Sequence, residues 1–299
     1  ISWDGGASYS PGASRVYEYR YKEDYFTTNI YTDYSKTFNG HFIKAMVGFN
    51  AELTKYDSTS GQGDKLISAE TPYLGQTTSE QKVSGGRAEN SVAGFFGRIN
   101  YNYEDRYMVE LNGRYDGSSR FIDDKRWGFF PSFSAGWNIA REAFFGDLAD
   151  IFSTLKLRGS WGQLGNTNTN DAWYPFYQTM PTSTANGSWL VGGTKPNLAG
   201  LPGIVSSLKT WETIESWDVG LDWSLLSNRL TGSFDYFTRY TYDMIGPAPE
   251  LAASLGTGVP KINNADMKSY GFELELGWRD RIQDFSYGVK FVLSDSQQK

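Results

Sequence analysis

The feature that most constrains this chain is a strict two-residue alternation of apolar and polar residues between Val92 and Phe145. Three successive runs show it; in the middle run, Val109 and Leu111 alternate with polar neighbours such as Glu110. Successive side chains of a β-strand point to opposite faces of the sheet, so each run predicts a strand with one apolar and one polar face. The stretch therefore predicts three consecutive strands.

The same alternation recurs along the chain and predicts about ten strands. The predicted strands are 26–38, 43–54, 95–104, 107–116, 129–139, 155–161, 217–225, 230–242, 270–279 and 285–293. The first twenty residues are loop-like, with strand entry at Arg15. Residues 141–154 are the one segment with roughly helical spacing of apolar residues.

The connections between these strands alternate between short and long without exception. Short turns are predicted at Asn39-Gly40, Glu104-Asp105, Ser227-Asn228 and near Arg281, and long polar loops at 56–90, 117–127, 164–210 and 245–266. In an antiparallel meander, this places all short turns at one end and all long loops at the other. Short periplasmic turns and long extracellular loops are typical of transmembrane β-barrels.

Charged residues recur on the polar faces of the predicted strands, where contact with lipid would be costly. These faces are therefore expected to line a wet interior. The residues expected to point outward are Val109, Leu111, Leu221, Trp223, Phe272 and Leu274. Those expected to point inward are Arg98, Glu110, Arg114, Asp222, Glu273 and Glu275.

Composition excludes several other classes of protein. The chain of 299 residues has no Cys and one His, with a formal net charge of −6. It has no disulfide framework or cysteine metal site. It also has no basic stripe for nucleic acid. No apolar run approaches the ~20 residues that a spanning helix needs.

Catalytic chemistry is not indicated, and we expect neither an enzyme nor a cofactor or metal site. His41 stands alone beside a tight turn, where a surface role is expected. The pair Asp123-Asp124 is better explained as solvated loop acids than as cation ligands.

Five ordered sequence blocks resemble the barrel of SusC/RagA-type TonB-dependent outer-membrane transporters. The blocks are GRYDGSSRF, RWGFFPSFSAGWNIAREAFF, LKLRGSWGQLGN, GLDWSLLSNRLTGSFDYFTRYTYDMI and INNADMKSYGFELELGWR. The resemblance covers most of the chain from about residue 25 onward. It implies part of a barrel of about 22 strands in the outer membrane of a Gram-negative bacterium, with an N-terminal plug and import of glycans or peptides. The implied partners are the TonB complex, a SusD-like surface lipoprotein and outer-membrane lipid.

The expected fold class is thus all-β, an antiparallel transmembrane β-barrel segment of about ten strands. Residues 1–23 are expected to form a partial extracellular loop or strand entry, and residues 24–299 part of the barrel. The plug domain and the C-terminal strands are expected to lie outside this chain.

The aromatic residues of the long loops are the candidate ligand or partner contacts. Aromatic rings stack on sugars and on apolar surfaces, and the candidates are Trp127, Trp173, Tyr174 and Trp189. The alternative for these residues is that they pack the loops against one another.

Two other functions stay open at this stage: a passive porin and a soluble, aromatic-rich, carbohydrate-binding β-protein. A soluble protein would hide its apolar faces, whereas a barrel would need detergent. The resemblance alone favours the transporter over the porin.

Overall fold

The computed structural model describes residues 2–10, 14–167, 173–184, 190–205, 209–247 and 259–299. Within them the chain forms thirteen strands. These are β1 (Ser2–Ser10), β2 (Arg15–Phe38), β3 (His41–Gly63), β4 (Lys82–Tyr103), β5 (Tyr107–Ser118), β6 (Trp127–Asn138), β7 (Phe152–Asn166), β8 (Thr182–Thr184), β9 (Asn197–Ala199), β10 (Glu212–Leu225), β11 (Leu230–Ile245), β12 (Asn263–Ile282) and β13 (Phe285–Gln298).

Eleven of these strands join one sheet in the order β1-β2-β3-β4-β5-β6-β7-β10-β11-β12-β13. The pairs β1–β2, β5–β6, β6–β7, β7–β10, β10–β11, β11–β12 and β12–β13 are antiparallel. Strands β8 and β9 form a separate ribbon inside the connection from β7 to β10. The all-β antiparallel architecture predicted from the alternation is therefore confirmed. No helix in the described part of the chain is long and apolar enough to span a membrane.

All ten predicted strands are present, but several segments predicted as loops also contain strand, among them 164–210, which holds β8 and β9. The first twenty residues hold β1 and the start of β2, which does begin at Arg15. The predicted loop 56–90 is reduced to 64–81, since β3 continues to Gly63 and β4 starts at Lys82. The strand ends beyond Tyr56 carry polar residues on both faces, so alternation could not reveal them.

The prediction that connection lengths alternate without exception is wrong at one place. The connection between β6 and β7, residues 139–151, is longer than the 119–126 connection between β5 and β6. It contains 3₁₀ turns at Ile139–Arg141 and Ala143–Asp150, interrupted at Gly146, whose φ is 51°. The helical spacing noted in this segment corresponds to these turns.

The chain divides into two compact units. The first comprises Ile1–Asn29 and Asn50–Ala93. In it Val16 is fully buried, and the Arg15 guanidinium lies 2.6 Å from the Asp64 carboxylate. The amide of Leu74 donates a 2.9 Å hydrogen bond to Glu18. These contacts hold the 64–81 connection against β2.

The second unit comprises Ile30–Phe49 and Gly94–Lys299. Its strand registers place the residues predicted to point outward on one face, which we call the apolar face. The exposed side chains of the apolar face include Tyr107, Leu111, Phe133, Leu157, Trp217, Val219, Phe234 and Tyr236. The predicted inward residues share the opposite side, the polar face.

Burial in this unit is concentrated at the ends of the strands and not along the sheet. The buried hydrophobic residues described here are Phe121, Phe130, Phe145 and Trp211. A sheet with an uncovered apolar face gains little stability from an internal core. The medium around the sheet must therefore supply the apolar contacts for that face.

Candidate functional site on the polar face and at the loop end

The polar face carries an ion cluster that crosses three strands. The guanidinium of Arg158 on β7 lies 3.2 Å from Asp218 and 3.1 Å from Asp222, both on β10. It also reaches Asp235 on β11, at 2.5 Å. Because these groups are half-buried, their charges are screened less than those of fully exposed pairs.

Gly220 makes this cluster possible. It stands between Arg158 and Asp235 in the cross-strand register. A Cβ atom at residue 220 would lie 2.4 Å from Asp235 Oδ1 and 2.6 Å from Arg158 Cζ. The absence of a side chain therefore lets the guanidinium pass over β10 to its third carboxylate.

A second polar group lies on β4 and β5. Arg98 Nε donates a 2.6 Å hydrogen bond to Asn112 and lies 3.8 Å from the Glu110 carboxylate. Glu110 also accepts hydrogen bonds from Asn100 and Asn112. The two groups give the polar face fixed donors and acceptors, as a hydrated wall requires.

Aromatic packing joins the long connections of the second unit at the end where they meet, which we call the loop end. Phe121, Phe130 and Trp211 form a buried cluster. The Trp211 ring centroid lies 5.4 Å from that of Phe121 and 5.2 Å from that of Phe130. Trp211 Nε1 donates a 3.2 Å hydrogen bond to the carbonyl oxygen of Arg126. The residue before β10 is thus fixed to the connection between β5 and β6.

Polar contacts extend the loop end towards β12. Asn263 exchanges hydrogen bonds with the backbone of Thr210, at 3.2 and 3.1 Å. Glu212 accepts hydrogen bonds from Asn166 and from the amide of Ile245. Next to them, burial lowers the pKa of Lys209. The start of β10 is therefore the point to which three connections are tied.

The structure separates the aromatic residues predicted as ligand contacts. Trp173 is half-buried, with the Arg120 guanidinium 5.9 Å from its ring centroid, and Arg120 donates to the carbonyl oxygen of Thr167. Tyr174 is exposed and packs edge-on against Tyr177 at 6.1 Å. Trp189 lies outside the described residues.

Trp127 does not join the other predicted contacts. Its ring stacks on Tyr115 at 5.0 Å with an interplanar angle of 14°, and the register places both on the apolar face. An amphipathic ring at a strand end on this face matches the aromatic girdle of a transmembrane barrel. A ligand contact at Trp127 stays an untested prediction that this position does not favour.

Sequence reasoning missed the residues that organise the loop end. Trp211 is far from Phe121 and Phe130 in sequence, and the alternation over 129–139 groups Phe130 with the polar residues of its strand. The one available signal was a large apolar residue on an otherwise polar face.

Metal-ligating side chains do not gather into a metal site in the described part of the chain. No group of three or more His, Cys, Asp or Glu there could hold a metal ion. Asp124 is exposed and lies 3.6 Å from Lys125, and the side chain of Asp123 is not described. His41 is half-buried and not a plain surface residue, with Nδ1 2.9 Å from the Tyr101 hydroxyl.

Comparison with known families decides what this sheet is. Residues 2–298 match the family model described as TonB dependent receptor-like, beta-barrel. The chain belongs to this family. Its strands are thus part of the β-barrel of a TonB-dependent receptor, with the SusC/RagA resemblance confirmed.

Curated members of the family match nearly the whole chain. TonB-dependent receptor SusC of Bacteroides thetaiotaomicron is 30% identical over 293 residues, covering 97% of this chain. TonB-dependent receptor P3 of Formosa agariphila is 29% identical over 291 residues, covering 96%. The chain spans only 28% of the length of each relative.

Solved receptor structures share the fold. The RagAB peptide importer in its closed-closed state superposes with a TM-score of 0.78 over 95% of this chain and 30% of its own, at 21% identity. The outer-membrane transporter YddB of Escherichia coli gives 0.58 over 95% of this chain and 34% of its own, at 12% identity.

Proposed function

We propose that the protein containing this chain is a SusC/RagA-type, TonB-dependent transporter that imports large nutrients across the outer membrane of a Gram-negative bacterium. The observation that carries the proposal is the match of residues 2–298 to the receptor barrel family. The two unlike faces of the sheet support it, because a barrel wall needs an apolar outside and a polar inside. We propose no enzymatic activity.

For the substrate we propose a glycan or a peptide. The name of one structural neighbour, RagAB, describes a peptide importer. The polar face offers both carboxylates and guanidinium groups, such as Glu110 and Arg98. Such a wall can hydrogen-bond to hydroxyl or amide groups. Because it carries both charges, it does not select ligands of one charge.

For the partners we propose a SusD-like lipoprotein at the loop end and the TonB complex on the opposite side. We propose that Trp173 and Tyr174 contact the ligand or the lipoprotein, with Trp189 as a further candidate. The proposal rests on their position in the connection between β7 and β10 and on the exposed ring of Tyr174. Exposed aromatic rings are efficient contact surfaces.

The test compares energised uptake with passive conductance. A strain lacking the gene is complemented with the intact gene, and uptake of labelled oligosaccharides and oligopeptides is measured with and without a protonophore. We expect uptake of one substrate class that depends on the gene and stops when the proton gradient collapses. Uptake that survives the protonophore, together with stable open channels in planar bilayers, would instead establish a porin.

A further inference from the structure

The connection between β6 and β7 exposes large apolar side chains. In residues 139–151, the exposed fractions of Phe144, Leu148 and Ile151 are 71%, 51% and 44%. The amide of Leu226, itself exposed, donates to the carbonyl oxygen of Ile151. We call Phe144, Leu148 and Ile151 the rim patch. The connection lies at the end of the sheet opposite the loop end, which we call the turn end. Other turns at the turn end, Asn39-Gly40 and 283–284, are short and polar.

Hydrogen bonds fix the start of this connection to the apolar face. Glu142 accepts one from the Tyr107 hydroxyl and one, at 2.9 Å, from Trp137 Nε1. Tyr107 and Trp137 are direct cross-strand neighbours, and Trp137 pairs in turn with Leu157. All three belong to the apolar face. The carboxylate thus holds the connection at the border of that face.

Direct packing continues the apolar face into the connection. The Phe144 ring meets that of Trp137 edge-on, with centroids 6.4 Å apart. Tyr and Trp concentrate at the boundary between hydrocarbon and headgroups, where their polar atoms reach water. Tyr107 and Trp137 therefore mark the level at which the bilayer ends, and Phe144 lies next to them.

We propose that residues 143–151 lie in the membrane interface and insert the rim patch into the lipid leaflet at the turn end of the barrel. Short segments with one apolar side bind in this way, with their apolar side chains at the boundary of the acyl chains. The bonds of Glu142 and Arg141 keep the polar start of the segment at the water side, since Arg141 pairs with Asp105 at 3.3 Å.

Spin-label accessibility in the full-length protein, reconstituted in phosphatidylcholine liposomes, tests this directly. A nitroxide is attached at Leu148→Cys, after replacement of any other cysteine. Collisions with oxygen, which partitions into lipid, are compared with those of a water-soluble nickel chelate. Val219→Cys on the apolar face gives the lipid reference, and Ser227→Cys in the turn after β10 gives the water reference.

We expect an oxygen-to-nickel ratio at residue 148 several-fold above that at residue 227 and in the range of residue 219. A ratio equal to that at residue 227 would overturn the proposal, and so would exclusion of both relaxing agents, which would indicate cover by protein. Ile151→Cys repeats the test if the Leu148 variant does not fold. The inference rests on the proposed membrane location, but the residue 219 label reports that location separately.

Discussion

At the scale of single residues, the polar face depends on one arginine and one glycine. Arg158 meets three carboxylates, and no side chain at Gly220 stands in its way. An arginine left half-buried without its acids would be costly, because a guanidinium cannot lose its proton. The glycine is therefore as important to the cluster as the charges are.

Gly220→Ala tests this dependence. The new methyl group would overlap Arg158 and Asp235, and we expect a loss of about 1–3 kcal/mol, the usual cost of overpacking. The measurement is thermal unfolding of the protein in detergent. Gly159→Ala is the matched control, because its Cβ would meet only a backbone oxygen at 3.7 Å. Equal transitions for both variants would show that Gly220 does not hold the cluster open.

Glu142 gives a prediction about pH. Hydrogen bonds from Tyr107 and Trp137, with the charge of Arg106, hold the pKa of this carboxyl below its usual range. A lowered pKa in the folded state means that Glu142 stabilises the connection above the ordinary Glu pKa. This stability is lost as the pH falls through the lowered value.

We therefore expect hydrogen exchange of the 139–151 amides, corrected for intrinsic rates, to increase as the pH drops below the ordinary Glu range. In Glu142→Gln the protection should be weaker at neutral pH. It should also no longer fall as the pH drops below the ordinary Glu range. A wild-type protein with constant protection down to strongly acidic pH would contradict the prediction.

At the scale of elements, the strands of the second unit are held by register and their connections by end contacts. At the loop end, Trp211 ties the start of β10 to the connection between β5 and β6. At the turn end, Glu142 ties the longest turn to the edge of the apolar face. Each contact fixes where a connection meets the sheet, which the strand pairing alone would leave free.

Trp211→Ala should release the loop end. Only 7% of Trp211 is exposed, and removing a buried Trp side chain usually costs about 3–5 kcal/mol. We expect faster proteolysis of the β7–β10 connection with the sheet still assembled. Trp217→Ala, at an exposed position in β10, is the control. Cleavage no faster than in this control would show that the cluster does not order the loops.

The orientation of the faces can be tested on neighbouring strands. Leu111→Arg puts a charge on the apolar face and should cost roughly 2–4 kcal/mol if the residue is near the bilayer midplane. Ser134→Arg, on the polar face opposite Glu110, should be tolerated. The measurement is folding into lipid vesicles over a urea series. Equal sensitivity of the two variants to urea would contradict the assignment of the two faces.

At the scale of the whole molecule, the long connections collect at one end of the second unit and carry exposed aromatic rings. The described parts of the β7–β10 connection hold a short ribbon of β8 and β9 and a few ring contacts, including Tyr174 with Tyr177. Such long loops are usually functional when they are ordered. On the proposed function, this end is where a substrate or lipoprotein would first meet the barrel.

A triple variant should show lower uptake of substrate and lower recovery of the lipoprotein in pull-downs. Its changes are Trp173→Ala, Tyr174→Ala and Trp189→Ala. Barrel assembly, measured by heat-modifiable migration of the membrane fraction, should be unchanged. Trp127→Ala serves as the matched aromatic control on the apolar face. Normal uptake and pull-down in the triple variant would assign these rings to packing among the loops.

The sequence alone determined the strands with two unlike faces, because a side-chain period of two is written directly into the residue order. Val109 and Leu111 were separated from Glu110 without any coordinates. The alternation also predicted the antiparallel meander, since short turns such as Asn39-Gly40 leave no room for a crossover. It could not reveal β1 or the polar end of β3, where both faces carry similar residues.

Only the tertiary structure decided which distant residues meet. Arg158, Asp218 and Asp235 come together through strand register, and Phe121, Phe130 and Trp211 through the path of two connections. It also set Trp127 apart from Trp173, although both are aromatic residues at a strand border or in a loop. The physical reason is that pairing register and loop path depend on contacts between residues far apart in the chain, which local patterns do not encode.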